Sequence, residues 1–137
     1  GRVTAPPREQ VSYLPARALL TAGTVGENLT LFNAAPEAAT AAAGQVGLDL
    51  PAEHELTAAG RGVSAGQGQR IGLARTLARG DGRPRVLLLD EPSAHLSPDL
   101  VTRLAAALRD RARRGDTVIV ASHDERMVEL AGTVVRL

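Results

Sequence analysis

Val86-Leu87-Leu88-Leu89 runs without a polar residue and closes on Asp90-Glu91. An unbroken apolar run, rather than an alternating one, fits a strand buried on both faces of a parallel sheet. Thr117-Val118-Ile119-Val120-Ala121 repeats the pattern downstream. Between the two, Ser97-Pro98-Asp99 supplies a helix N-cap, a proline at the first helical position and an acid at the positive end of the helix dipole. Leu100, Val101, Leu104, Ala105 and Leu108 then recur as a buried stripe, with Gly115 as the stop. Strand, helix and strand in this order predict a βαβ unit and an α/β fold built on a parallel sheet.

Upstream, Ser64-Ala65-Gly66-Gln67 reads as a capping box, in which the serine oxygen takes an orphan amide hydrogen bond. A helix is predicted from there through Ile71, Ala74, Leu77 and Ala78, stopped by Gly80 in a left-handed conformation. Pro36 opens an Ala-rich helix over residues 37–46, and residues 49–63 read as loop. Residues 10–14 form a short strand ended by Pro15. Residues 15–80 thus hold helices without convincing strands, a helical subdomain inserted into an α/β core formed by residues 10–14 and 81–137. Downstream, Ser122-His123-Asp124-Glu125 opens another capped helix, and residues 133–137 read as a last strand.

The chain has 137 residues, enough for one modest domain, with 44% hydrophobic and 23% charged residues and a net charge of +1. Tyr13 and Phe32 are the whole aromatic complement, so the core is aliphatic. The absence of cysteine excludes disulfides, thiolate metal sites and thiol nucleophiles. The arginine run over residues 109–114 is too short for a nucleic-acid tract and reads as a solvated helix face. No apolar stretch approaches the roughly 20 residues of a membrane span. All 16 basic residues are arginine.

Paired acids at the carboxyl end of a parallel strand are what a nucleoside triphosphatase needs, one to hold magnesium through water and one to polarise an attacking water. The same pair also occurs in ordinary turns, so its neighbours decide. Val63-Ser64-Ala65-Gly66-Gln67-Gly68-Gln69-Arg70 resembles the ABC signature LSGGQxQR. Asp90-Glu91-Pro92-Ser93-Ala94 resembles the Walker B extension of that family, and His123 stands where the family places its switch histidine. The sequence from about residue 10 onward is similar to the nucleotide-binding domain of ABC-transporter ATPases, a P-loop NTPase fold of the RecA type.

The resemblance implies a role for each position. Asp90 is the magnesium-side aspartate and Glu91 the general base. His123 donates to the γ-phosphate. Ser64, Ala65, Gly66 and Gln67 face ATP held by a second nucleotide-binding domain, in trans. His54 reads as a structural or exposed histidine, and no role is assigned to His95. Ala22-Gly23-Thr24-Val25-Gly26-Glu27-Asn28-Leu29 looks like the GTVxENI segment of exporter-type domains, and residues 57–62 look like a degraded form of their TEVGERG loop. Both lie near the coupling helices of a transmembrane domain in that group. The resemblance therefore points to an exporter half-transporter at the cytoplasmic face of a bacterial inner membrane, with the thiol-reductant exporters of cytochrome bd assembly as the suggested branch.

Several positions depart from the pattern. Ala16 stands where the family has a glutamine, Ala65 replaces the first signature glycine, and Ser97 replaces an aspartate. A phosphate-binding loop of the form GxxxxGKS or GxxxxGKT needs a lysine, and this sequence has none. The strand, loop and helix that hold ATP are expected upstream of Gly1, with that strand beside residues 86–90, and the chain alone is expected to be inactive. Two other readings are a regulatory ABC module with vestigial acids and an ABC-type ATPase of DNA repair. The segment from Gly23 to Leu29 argues against the latter.

Overall fold

A computed structural model describes residues 4–80, 83–129 and 131–135. Three parallel strands, β1 (Val11–Leu14), β4 (Val86–Asp90) and β5 (Thr117–Ala121), make a sheet in the order β1-β4-β5. Two very short strands, β2 (Gly23–Thr24) and β3 (Glu55–Leu56), pair antiparallel as a separate ribbon. The helices are α1 (Val25–Thr30), α2 (Pro36–Gln45), α3 (Ala65–Ala78), α4 (Pro98–Arg113) and α5 (Glu125–Glu129). The α/β architecture with a parallel sheet is the predicted one.

The local signals explain most of these elements. Ser64 Oγ accepts from Gln67 N, and Gln67 Oε1 accepts from Ser64 N, so α3 starts on the capping box. Pro36 and Pro98 occupy first helical positions. Gly115 has φ +101° and follows α4 as expected. Two expectations fail in detail. Ser97 sits at the N-cap of α4 without a side-chain hydrogen bond. Gly80 is not left-handed, because Arg79 leaves α3 in an extended conformation, φ −65° and ψ 124°.

Three further differences are tertiary. Residues 15–80 do contain strands, the β2–β3 ribbon, and the short helix α1 starts on a capping box of Thr24 and Glu27. Residues 133–135 form no strand, and residues 136 and 137 lie outside the described residues. Arg111, inside the run read as solvated, turns inward to Asp116 and to the carbonyls of Leu77 and Arg79.

The strand order overturns the expected neighbour of β4. This strand is paired on one side by β1 and on the other by β5, so any further strand adds beside β1 or β5. Nor is β4 buried on both faces. Leu87 and Leu89 are buried, whereas Val86, Leu88 and Asp90 are only half-buried. Helices α3 and α4 pack against the first face. On the other, Tyr13, Leu88 and Ile119 stand in register across the strands, with Tyr13 60% and Ile119 54% exposed.

One core joins these elements. Leu14 of β1, Val25 of α1, Ile71, Leu73 and Ala74 of α3, Leu89 of β4 and Val101 and Leu104 of α4 are all buried in it. Asn28 is fully buried among them and is completely bonded. Its Oδ1 accepts from Thr21 N at 2.9 Å and from Thr21 Oγ1 at 3.3 Å, and its Nδ2 donates to Thr21 O and Thr24 O, each at 3.0 Å. Asn28→Ala leaves these backbone groups without partners, each at roughly 1–3 kcal/mol. The expected loss of stability is about 3 kcal/mol, read as a lower urea midpoint at unchanged slope. A change within about 0.5 kcal/mol contradicts this account.

Candidate functional site

Strand β4 ends at Asp90, and the chain then turns sharply. Glu91 has φ +48° and His95 φ +63°, left-handed values that side-chain-bearing residues seldom adopt, so the turn between them is held against local preference. Pro92, Ser93 and Leu96 are buried beneath it. The turn is tied to β5 by Glu91 N, which donates to Ala121 O at 2.8 Å. Since Asp90 and Ala121 are register partners, residues after both strands emerge at the same sheet edge.

That register brings Glu91 and His123 together. His123 Nδ1 lies 2.8 Å from Glu91 Oε1, and Ser122 Oγ donates to Glu91 Oε2 at 3.3 Å. Both carboxylate oxygens are therefore engaged, yet a carboxylate has about four acceptor positions, which leaves room for a water. Glu91 is 27% exposed and opens onto a cleft of about 540 Å³ shared with His95, His123 and Asp124.

The hydrogen bond that Glu91 accepts, then its charge, raises the His123 pKa above 6.5. A proton on both ring nitrogens lets Nδ1 serve Glu91 while Nε2 donates into the cleft. The sign follows from the shift. The contact contributes stability fully below pH 6.5, the ordinary value, and that contribution fades as pH rises through the raised one. The NMR titration midpoint of His123 is expected above that of an unstructured histidine and is expected to fall in Glu91→Gln. An unshifted midpoint in the unsubstituted chain removes the contact from solution.

Asp90 occupies the less covered face of β4, with Val86 and Leu88, at the carboxyl end of the sheet. No group of three or more His, Cys, Asp or Glu able to hold a metal occurs among the described residues. A single carboxylate fits magnesium, which keeps several waters and takes other ligands from phosphate, better than an ion needing an all-protein cage.

Ser64, Ala65, Gly66 and Gln67 form the first turn of α3, in a second place. Ser64 Oγ accepts from Gln67 N at 3.1 Å and keeps its hydroxyl proton to donate outward. Ser64 and Ala65 line a groove of about 370 Å³ with Arg17, Leu20 and His95. His95, given no role by the sequence, thus borders both the signature groove and the Glu91 cleft. Its left-handed backbone carries no sequence signal. His54 is structural, its Nε2 lying 2.8 Å from Gly62 O. Asp124 lies in the stretch predicted to open a capped helix, where its Oδ1 accepts from Arg126 N, but the sequence assigned it no role at the site.

A family model described as ABC transporter matches residues 2–94. The type I secretion system ATP-binding protein PrsD of Rhizobium meliloti (strain 1021) is 37% identical over 124 residues, covering 84% of this chain and 21% of PrsD. The putative hemin import ATP-binding protein HrtA of Staphylococcus saprophyticus is 32% identical over 130 residues, 93% of this chain and 54% of HrtA. The probable amino-acid import ATP-binding protein YxeO of Bacillus subtilis (strain 168) is 40% identical over 80 residues, 58% of this chain and 29% of YxeO. The chain therefore spans about a fifth to a half of these relatives. In fold it is similar to a bacterial Atm1-family ABC exporter with ATP bound, with a TM-score of 0.74 and 24% identity over 88% of this chain and 22% of the exporter. With the matched model covering more than half of its residues and the parallel sheet carrying the paired acids at its carboxyl edge, the chain belongs to the ABC transporter family as a sequence of its nucleotide-binding domain.

Proposed function

We propose that this chain is part of the ATP-hydrolysing domain of an ABC exporter, and that Glu91 and His123 are its hydrolytic pair. The observation that carries the reading is the 2.8 Å contact between His123 Nδ1 and Glu91 Oε1, made by residues on two separate loops. Glu91 is placed to accept the proton of a water in the cleft, and His123 Nε2 to donate to a phosphate oxygen. Asp90 would hold magnesium through water, and the bound ion would neutralise charge on the phosphates. Ser64 and the amides of the α3 first turn would meet the phosphate of ATP carried by a second nucleotide-binding domain.

Residues 15–80 read as the helical part and residues 10–14 and 81–137 as the α/β core. The export direction rests on the Gly23–Leu29 segment, since the relatives are named for secretion and for import alike. A transmembrane domain is the second partner in this reading, with the chain at the cytoplasmic face of the membrane. No helix among the described residues is long and apolar enough to cross a membrane.

The sequence holds no lysine, and a P-loop lysine carries much of the grip on the β- and γ-phosphates. This chain alone is therefore expected to show no saturable, magnesium-dependent ATP binding at millimolar concentration by calorimetry, while a longer transporter containing it binds and hydrolyses ATP. Saturable binding by the chain alone contradicts the first half, and a longer protein without ATPase activity the second.

A further inference from the structure

His123 needs an anchor. Its side chain is 90% exposed, so packing does little to place it, and the backbone tie between the two loops ends at Ala121. The next residues with defined partners are Ser122 and Asp124. Arg126 grips Asp124 with both arms, Nε to Oδ1 at 2.9 Å and Nη2 to Oδ2 at 2.7 Å. Arg126 N also donates to Oδ1 at 3.1 Å. Ser93, buried in the turn that begins with Glu91, also helps to lower the pKa of this carboxylate. Finally, Asp124 N donates to Ser122 Oγ at 3.1 Å, the hydroxyl that itself donates to Glu91 Oε2.

A helix cap requires only one carboxylate oxygen on one helical amide. Here the carboxylate also takes a guanidinium fork, and the backbone of the same residue holds the Ser122 hydroxyl that donates to Glu91. We propose that Asp124, clamped by Arg126, is a positioning residue that acts through the 122–124 loop to hold His123 Nδ1 on Glu91 Oε1. This rests on reading Glu91 and His123 as the hydrolytic pair. The clamp does not open near neutral pH, because the Arg126 hydrogen bond, the largest contribution, holds the Asp124 carboxyl at about 2.

Arg126→Gln provides a test by sign. Removing a cation close to an imidazole raises its pKa by electrostatics alone. Loss of positioning does the opposite, because His123 then loses the Glu91 hydrogen bond that raises it above 6.5. The His123 titration midpoint, followed by NMR in this chain, is expected to fall in Arg126→Gln, as it does in Glu91→Gln. It should fall no further when the two substitutions are combined, and Arg126→Lys should recover part of the shift. A midpoint that stays or rises in Arg126→Gln overturns the proposal. Arg126 is 45% exposed, so its replacement leaves the core intact. In a longer transporter the same substitution should lower kcat several-fold at unchanged KM for ATP, and an equal effect on both also counts against positioning. If Glu91 is not the base, Glu91→Gln leaves turnover unchanged there while the titration in this chain still reports the clamp. The two failures are thus separable.

Discussion

Glu91→Gln, in a longer transporter containing this chain, is expected to slow ATP hydrolysis by about 100- to 10,000-fold while nucleotide binding persists. The amide has the shape of the carboxylate, its oxygen can accept from one of the two partners, His123 Nδ1 or Ser122 Oγ, and the turn after β4 keeps its backbone tie from Glu91 N to Ala121 O. What disappears is the negative charge able to draw a proton from water. Asp90, one residue earlier and on the other side of the β4 terminus, keeps its own charge for the magnesium side. Single-turnover hydrolysis and nucleotide occupancy, measured separately for each composite site, separate loss of chemistry from loss of binding. If turnover at the site Glu91 serves is unchanged, the assignment as base is wrong. A regulatory module with vestigial acids then becomes the better account, a reading to which Ala16, Ala65 and Ser97 also lend themselves.

Ser64→Arg should abolish a different step. Ser64 Oγ is committed on one side to Gln67 N, and Ser64 lines the groove it shares with Leu20 and His95, which leaves its hydroxyl proton available to donate. An arginine there deletes the cap, which costs α3 about 1 kcal/mol. That is small for a helix whose Ile71, Leu73 and Ala74 are fully buried. Its larger consequence is steric. The long side chain fills the space at the first turn where a partner domain's phosphate would approach, so closure of two domains over ATP is expected to be lost. Nucleotide binding by the longer transporter should remain near that of its unsubstituted form. ATP-dependent dimerisation followed by light scattering checks the first part and equilibrium nucleotide binding the second. Ser64→Thr, which retains a capping hydroxyl, serves as the control. Normal dimerisation and turnover in Ser64→Arg would exclude a role for this helix end in trans.

The elements most legible in the sequence were those whose causes are local. Ser64 and Gln67 announce α3 because a capping box is written within four residues. Pro98 and the Leu100–Leu108 stripe announce α4 in the same way. Helix α1 carried an equally readable box at Thr24 and Glu27, but its six residues are too few for an apolar period to appear. The β2–β3 ribbon had no such signal. Its two-residue strands are distant in sequence, and only their pairing makes them strands.

By itself, then, the sequence determined which residue types are available and where the chain is helical or extended, since caps, prolines and apolar periods act over one or two turns. It also placed an acid pair at the end of one strand and a histidine just past another. The tertiary structure alone decided that β4 lies between β1 and β5, that His95 stands between two clefts, and that the Ser122 hydroxyl reaches Glu91. The contact of His123 with Glu91 belongs with these, for it depends on the parallel register that sets Asp90 opposite Ala121. Hydrogen bonds between residues far apart in sequence form only when packing has already brought the strands that carry them side by side, and no local pattern encodes that distance.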